Sequence, residues 1–194
     1  MRNHPPINPD DLTYMSSVME RFHCRLMTGS GFGMIRELRT DEEIRESVSV
    51  IRDSFADVAD LFGLSRENCP SHPSFQTVEG LLSMRDGGTL LFGLFSGDKQ
   101  VGFVAIEKAD RELCYMERLA VLPDYRHLGH GSALVLYALE RIKQLGGKRA
   151  SLAIIAGSTV LKKWYEGFGF VENETRSVPR LPFDVCFLEL HINR

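Results

Sequence analysis

Apolar side chains near the start of the chain recur at steps of three and four residues. The positions that share this spacing are Leu12, Met15, Met19, Phe22 and Leu26. Such spacing predicts an amphipathic helix, and the Asn-Pro-Asp sequence at 8–10 is a typical helix start. We therefore predict an N-terminal helical extension over residues 1–33. Its apolar side would dock on the main domain or on a second copy in a homodimer, or else the extension matters little to the fold.

The pattern from Met34 onward predicts one mixed domain over residues 34–194. The predicted strands are Met34–Leu38, Leu90–Phe95, Val101–Glu107, Leu113–Val121, Ala150–Ala156, Phe170–Glu174 and Phe183–Ile192. One helix is predicted after the capping box at 40–43, and the others cover Gln76–Met84, Gly129–Leu145 and Ser158–Gly167. Helices and strands do not alternate strictly, so the predicted fold class is α/β in the mixed, α+β sense.

Composition and charge place the chain among ordinary globular proteins. The 194 residues contain 23 basic and 26 acidic side chains, a formal net charge of -3, which argues against a general nucleic-acid binder. No apolar run is long enough to span a membrane, and the N-terminus lacks the apolar segment of a secretory signal. Cys24, Cys69, Cys114 and Cys186 form no C-x-x-C pair and are interpreted as reduced thiols of a cytoplasmic protein.

The stretch with candidate chemistry is Arg126–Gly131, which lies between a predicted strand and a predicted helix. Its sequence is Arg-His-Leu-Gly-His-Gly. Glycines allow a tight turn and the close approach of a ligand, and the free amides of a helix start favour an anion. A diphosphate would suit this place, and Arg126 could add a charged hydrogen bond to it.

Two other ligands fit these residues less well. Zinc could in principle be held by Cys69, His72, His127 and His130, but structural zinc sites favour closely spaced thiolates. We expect His127 and His130 to face solvent instead, and we predict no metal. A dinucleotide site is weakly supported, because residues 129–134 lack the third glycine of G-x-G-x-x-G, and the chain has no Walker sequence.

Two blocks of sequence resemble the GNAT superfamily of N-acetyltransferases. Residues 116–131 (MERLAVLPDYRHLGHG) are similar to the acetyl-CoA motif of that family, and residues 164–170 (WYEGFGF) are similar to the helix end after its fifth strand. The resemblance covers the element order of residues 34–192 and implies a three-layer fold. Its twisted mixed sheet would splay between the fourth and fifth strands, with acetyl-CoA as the co-substrate in the gap.

The resemblance also implies a set of donor-binding residues. The pantetheine arm would pair with backbone groups near Leu119 and Val121, the diphosphate would meet the amides of residues 127–132, and the Leu119 N–H would polarise the thioester carbonyl. Ser158 or Thr159 stands near the place where many family members carry an asparagine that contacts the cofactor. The full implied set is Leu119, Ala120, Val121, Arg126, His127, Leu128, Gly129, His130, Gly131, Ser132 and Ser158.

Acetyl transfer to an amine needs a proton acceptor, because an alkyl ammonium has a pKa of about 10.4. Glu117 is the first candidate, with Tyr115 or Glu107 as alternatives. An ion pair with a basic residue is the competing, structural interpretation of Glu117. Alternation along the strand places Tyr115, Glu117, Leu119 and Val121 on one face, unless a bulge intervenes.

The predicted function is N-acetylation of a primary amine by direct attack on acetyl-CoA. Tyr165 matches the tyrosine that often protonates the leaving thiolate in this family, although packing alone would also explain it. A catalytically silent acyl-CoA-binding sensor or interaction module of the same fold is the alternative. The acceptor, a small-molecule or peptide amine, is expected between loops 63–76 and 176–182, where Arg176 and Arg180 either bind an anionic group or are simply solvated.

Overall fold

A computed structural model describes residues 33–192 of the chain. The strands are β1 (Met34–Glu37), β2 (Leu90–Ser96), β3 (Lys99–Lys108), β4 (Leu113–Val121), β5 (Arg149–Ile155), β6 (Val171–Ser177) and β7 (Asp184–His191). The α-helices are α1 (Asp41–Leu61), α2 (Val78–Asp86), α3 (His130–Gln144) and α4 (Thr159–Glu166). Short 3-10 turns at Pro73–Phe75 and Pro123–Tyr125 lead into α2 and α3.

The strands form a single seven-stranded sheet in the order β1-β2-β3-β4-β5-β7-β6. β4 and β5 are parallel, and the other neighbouring pairs are antiparallel. The sheet is therefore mixed, as predicted, and α3 supplies the crossover that two parallel strands require. The predicted turn between β2 and β3 is confirmed, because Ser96 pairs with Lys99 and Gly97 has a φ of 60°.

Helices cover both faces of the sheet and give the predicted three layers. On one face, Ile44 and Ile51 of α1 and Leu81 of α2 pack against Phe103 and Ala105 of β3. On the other face, the core joins the two later helices to the strands through Leu134, Ile142, Tyr165, Val104, Cys114, Ala150 and Leu188. Both faces of the central strands are thus buried, which leaves the ends of the strands as the places where a ligand can enter.

The start of α1 is fixed by the capping box that the sequence predicts. The Thr40 hydroxyl accepts the Glu43 N–H at 3.3 Å, and the Glu43 carboxylate accepts the Thr40 N–H at 3.1 Å. The backbone N–H of Arg39 and the guanidinium of Arg36 also donate to this carboxylate, and together these bonds lower the pKa of Glu43 to about 2. A strong cap of this kind sets where the long helix begins beneath the sheet.

Other element bounds differ from the prediction by a few residues. α2 begins at Val78 because the Thr77 hydroxyl accepts the Gly80 N–H at 3.0 Å and so caps the helix. β6 continues to Ser177, beyond its predicted end. The helix predicted within residues 1–33 lies outside the described residues.

Two further features of the structure concern its cysteines and its helices. Cys69, Cys114 and Cys186 are buried free thiols. Among residues 33–192, no helix is long and apolar enough to cross a membrane.

Candidate active site

The fourth and fifth strands separate soon after they begin to pair. Their pairing runs from Leu113 with Arg149 to Tyr115 with Ser151 and stops there, although both strands continue for several residues. The edge of β4 beyond Tyr115 therefore faces a gap, which confirms the predicted splay. We call this gap the split. Backbone groups along such an edge can pair with an extended ligand as they would with a strand.

A β-bulge lies on β4 at the split. The register with β3 shifts after Glu117, so that Arg118 and Leu119 together oppose a single residue of β3. Arg118 has a φ of 51°, in the left-handed region that side chains other than glycine rarely adopt. Strain of this kind persists only where the surrounding structure holds it, and it is common at functional sites.

The bulge is the exception that the sequence analysis allows for the shared face of Tyr115, Glu117, Leu119 and Val121, and it separates the first two from the last two. Glu117 lies opposite Ala105, on the face that carries α1. Leu119 and Val121 instead pack into the core beneath α3. The extra residue breaks the two-residue alternation of the strand, so side chains before and after it point to opposite faces.

The start of α3 has no side-chain cap. Gly129 is the N-cap with a φ of 86°, and the helix has neither a side-chain cap nor an acidic residue in its first turn. His127, with a φ of 60°, turns the preceding loop. The amides of His130, Gly131 and Ser132 belong to the first turn, where no carbonyl of the helix can accept from them. This geometry favours a bound anion.

Gly131 lies where α3 comes close to α4. A Cβ placed on Gly131 would lie 3.3 Å from Cζ2 of the Trp164 ring and 4.0 Å from Cγ2 of Val121. The Trp164 ring in turn packs edge-on against Tyr165, with centroids 4.9 Å apart. The end of β4, the start of α3 and the body of α4 therefore meet at the split.

The side chain of Arg126 faces α1 rather than the start of α3. Its two terminal nitrogens form an ion pair with the Asp57 carboxylate, and one of them donates to the Ser54 carbonyl at 2.7 Å. Its Nε donates to the Val121 carbonyl at 3.2 Å. The diphosphate contact predicted for this guanidinium has no support in this arrangement. Arg126 instead ties the loop before α3 to the helix across the split, and the same contact lowers the pKa of Asp57.

The prediction that both loop histidines face solvent is wrong for His130. His127 is exposed, whereas His130 is buried with its ring 6.3 Å from that of Tyr125. Burial lowers the pKa of His130 and favours the neutral ring. His72 is buried as well, edge-on to Phe55. Within the described part of the chain, no three His, Cys, Asp or Glu side chains come together in a group that could hold a metal ion.

Glu117 is engaged in an ion pair with its neighbour on the bulge. The Arg118 guanidinium donates to the Glu117 carboxylate, and its Nε donates to the Gln76 side-chain oxygen at 2.9 Å. A third of the Glu117 side chain remains exposed. Both the proton acceptor and the structural ion pair considered for Glu117 therefore have a basis in the geometry. Of the alternatives, Tyr115 is more exposed and lies opposite Glu107 on β3.

Tyr165 lies deep in the core that lines the split. It belongs to the same cluster as Val121 of β4 and Leu152 of β5, and it packs edge-on against Phe170 at 5.6 Å. Burial raises the pKa of its phenol well above the ordinary value. The hydroxyl therefore keeps its proton at neutral pH, as a general acid must.

Ser158 is the N-cap residue of α4, but its side chain does not accept a hydrogen bond from that helix. The hydroxyl is thus not committed to capping. It follows Gly157, where a Cβ would lie 3.1 Å from the Phe62 ring at the end of α1. The end of β5, like that of β4, is therefore close to α1.

The two loops predicted to form the acceptor groove do meet. Leu64 and Cys69 of the first loop form a cluster with Ala59, and the partly buried side chains packed on it are Phe62, Ile155, Leu181 and Phe183. Arg176, by contrast, stacks over the Phe187 ring at 5.0 Å and pairs with Glu174. Arg180 is exposed, with a φ of 73°. The structure gives no ligand-binding geometry to Arg176 and Arg180.

The sequence predicts no functional role for three residues near the split: Arg52, Asp57 and Gln76. Each contacts a residue far away in the chain, as Asp57 does with Arg126, 69 positions later. For the pair of Asp57 and Arg126, the sequence shows only that one residue is acidic and the other is basic. No local spacing marks Gln76.

The split sheet, the bulge on β4 and the glycine-led helix start define an acetyltransferase type of fold. The profile of the acetyltransferase (GNAT) family matches residues 55–170, which is more than half of the chain. The chain therefore belongs to the GNAT family. Comparison with curated protein sequences gives no significant match.

Solved structures with the same fold include several N-acetyltransferases. The PaiA N-acetyltransferase of Thermoplasma acidophilum, in complex with coenzyme A, is 22% identical with a TM-score of 0.69, covering 82% of this chain and 98% of its own. The ribosomal-protein-S18-alanine N-acetyltransferase of Escherichia coli is 19% identical with a TM-score of 0.66, covering 84% and 95%. A GNAT acetyltransferase of Elizabethkingia anophelis with acetyl-CoA bound is 16% identical with a TM-score of 0.50, covering 58% and 82%. At these identities the likeness is one of fold.

Proposed function

We propose that this protein is an N-acetyltransferase that moves the acetyl group of acetyl-CoA to a primary amine. The observation that carries the proposal is the split between β4 and β5, which opens beside the uncapped start of α3. Coenzyme A would fit both features, because its extended pantetheine arm could lie in the split and its charged diphosphate could lie at the helix start. Family membership supports the same assignment.

The donor would be held mainly by backbone groups. The diphosphate would accept hydrogen bonds from the amides of residues 127–132, since the helix dipole and the N–H groups that point out of a helix start favour an anion there. The pantetheine arm would pair along β4 from Leu119 to Val121, with Ser158 across the split. Arg126 would act indirectly, by holding the loop against α1 through Asp57.

The transfer needs one proton acceptor and one proton donor. The neutral amine attacks the thioester carbonyl, the new N–C bond forms, and the C–S bond breaks with its electron pair going to sulfur. In the proposal, Glu117 takes the proton lost by the amine and Tyr165 gives its proton to the thiolate. The Leu119 N–H, at the bulge, stabilises the negative charge that develops on the carbonyl oxygen.

The alternative of a silent acyl-CoA-binding module is favoured by one observation, the ion pair that occupies Glu117. Thiol release from acetyl-CoA, measured with a panel of amines, amino acids and short peptides, separates the two functions. The enzyme predicts amine-dependent release together with an acetylated amine identified by mass spectrometry. Calorimetric binding of CoA with no amine-dependent release would establish the module instead.

A further inference from the structure

Two arginines from different elements meet at one buried glutamine beside the bulge. Arg52 of α1 donates from Nε to the Gln76 backbone carbonyl at 2.6 Å. Arg118 donates from Nε to the Gln76 side-chain oxygen at 2.9 Å. Gln76 itself is only 8% exposed. One fixed residue therefore holds both guanidinium groups close together on the α1 side of the split.

The hydrogen-bonding capacity of this cluster is not used up. A guanidinium has five N–H donors, and the described residues 33–192 provide no carboxylate partner for Arg52. Arg118 pairs with Glu117 through one terminal nitrogen, and the other has no partner within that same range. The cluster thus contains two guanidinium charges and one carboxylate charge, and several N–H groups remain for a ligand.

The cluster lies next to the proposed reaction centre. Arg118 and Leu119 are neighbours on the bulge, and Glu117 precedes them. A negative carboxylate and two positive guanidinium groups therefore stand side by side where the acceptor would have to approach. This is the charge pattern that complements an ammonium group and a carboxylate joined by a short linker.

We propose that the acceptor is an amine that carries a carboxylate a few bonds away, as an amino acid does. The inference rests on the proposed function and specifies its acceptor. The acceptor's carboxylate would bind the terminal N–H groups of Arg52 and Arg118, and its amine would lie toward Glu117. The same two arginines would repel a polyamine, which has positive charges where the carboxylate should be.

The test compares the proteinogenic L-amino acids with their amides as acceptors. Each amide keeps the side chain and the amino group and replaces the carboxylate by a neutral group. Because this replacement also lowers the pKa of the amino group, kcat/KM is compared per concentration of unprotonated amine. A hydrogen bond to a charged group contributes a factor of about 10 to 100 in binding, so kcat/KM for the best amino acid should exceed that for its amide by about this factor. Arg52→Gln and Arg118→Gln should each bring the ratio down to within about threefold of one.

Two further variants sharpen the comparison. Arg45→Gln removes the same charge from an exposed position on α1, and it should leave the ratio as in the wild type. Arg52→Lys retains the positive charge but lacks the paired N–H donors of a guanidinium, and it should keep part of the preference for the amino acid over its amide.

The outcomes separate this inference from the function on which it rests. If amides or polyamines are acetylated as well as amino acids, or if the preference survives both glutamine variants, the inference is wrong and the acetyltransferase stands. If no amine of any kind is acetylated while CoA binds, the proposed function is wrong and the inference falls with it.

Discussion

Tyr165 combines a buried ring with a phenol that keeps its proton. Burial alone raises the pKa of this group. Because an ordinary tyrosine ionises only near pH 10, about two units above the working range of most enzymes, a raised pKa excludes the phenolate throughout that range. The residue is therefore a neutral phenol throughout that range, and its proposed role is to donate a proton.

Replacement of Tyr165 by phenylalanine should lower kcat by about 10- to 100-fold, the lower part of the range for general acid–base catalysis. The loss should be moderate because a thiol has a pKa of only about 8.5, so a thiolate leaves fairly readily. It should be the same at about pH 7 and about pH 9, since the phenol is protonated at both. Steady-state kinetics with acetyl-CoA check this expectation.

Two control measurements, of thermal stability and of CoA affinity, accompany this prediction. The phenylalanine ring can keep the contacts with Trp164 and Phe170, so thermal melting and the Kd for CoA should hardly change. If Tyr165→Phe retains full kcat while Tyr165→Ala unfolds, the residue has a packing role only and the thiolate takes its proton from solvent.

At the scale of elements, Arg126 joins α1 to the loop before α3. Arg126 reaches Ser54 and Asp57 on one helix and the Val121 carbonyl at the end of β4. About half of the Asp57 side chain is exposed, so the ion pair is partly screened by solvent. Its main effect should therefore be to position the loop and not to stabilise the fold.

Loss of the Asp57 charge should weaken CoA binding. In Asp57→Asn, the loop before α3 is held less firmly, and the Kd for CoA should rise about three- to fivefold, in keeping with an exposed pair worth up to about 1 kcal/mol. Asp53→Asn, an exposed change one turn earlier on α1, is the matched control. Equal Kd values for the two variants, measured by calorimetry, would show that the ion pair does not position the loop.

The elements themselves could largely be predicted from the sequence, because their signals are local. The capping box at Thr40 and the turn at Ser96–Lys99 each lie within four residues, and both are confirmed. The bulge at Arg118 could not be placed in this way. A left-handed conformation is usually marked by glycine, and here an arginine held by Gln76 adopts it.

The candidate site was less predictable than the fold, because its contacts join distant parts of the chain. Arg126 matches the family motif at its position, but its ion pair with Asp57 spans 69 residues. The burial of His130 likewise depends on how the loop before α3 folds back on Tyr125. Which functional groups a motif residue actually meets is set by tertiary packing, and a single sequence does not contain that information.

At the scale of the whole molecule, the split is where three layers converge. β4 and β5 part after three paired positions, α3 begins at one side of the gap, and α1 lies across the other. A cofactor placed there would touch both halves of the sheet. The proposed function therefore depends on the split being the donor site.

A crystal structure with acetyl-CoA bound tests this claim most directly. We expect the diphosphate on the amides of residues 127–132, the pantetheine arm along β4 in place of a strand, and the thioester oxygen at the Leu119 N–H. Well-defined acetyl-CoA elsewhere on the molecule, with the split closed by protein side chains, would contradict it.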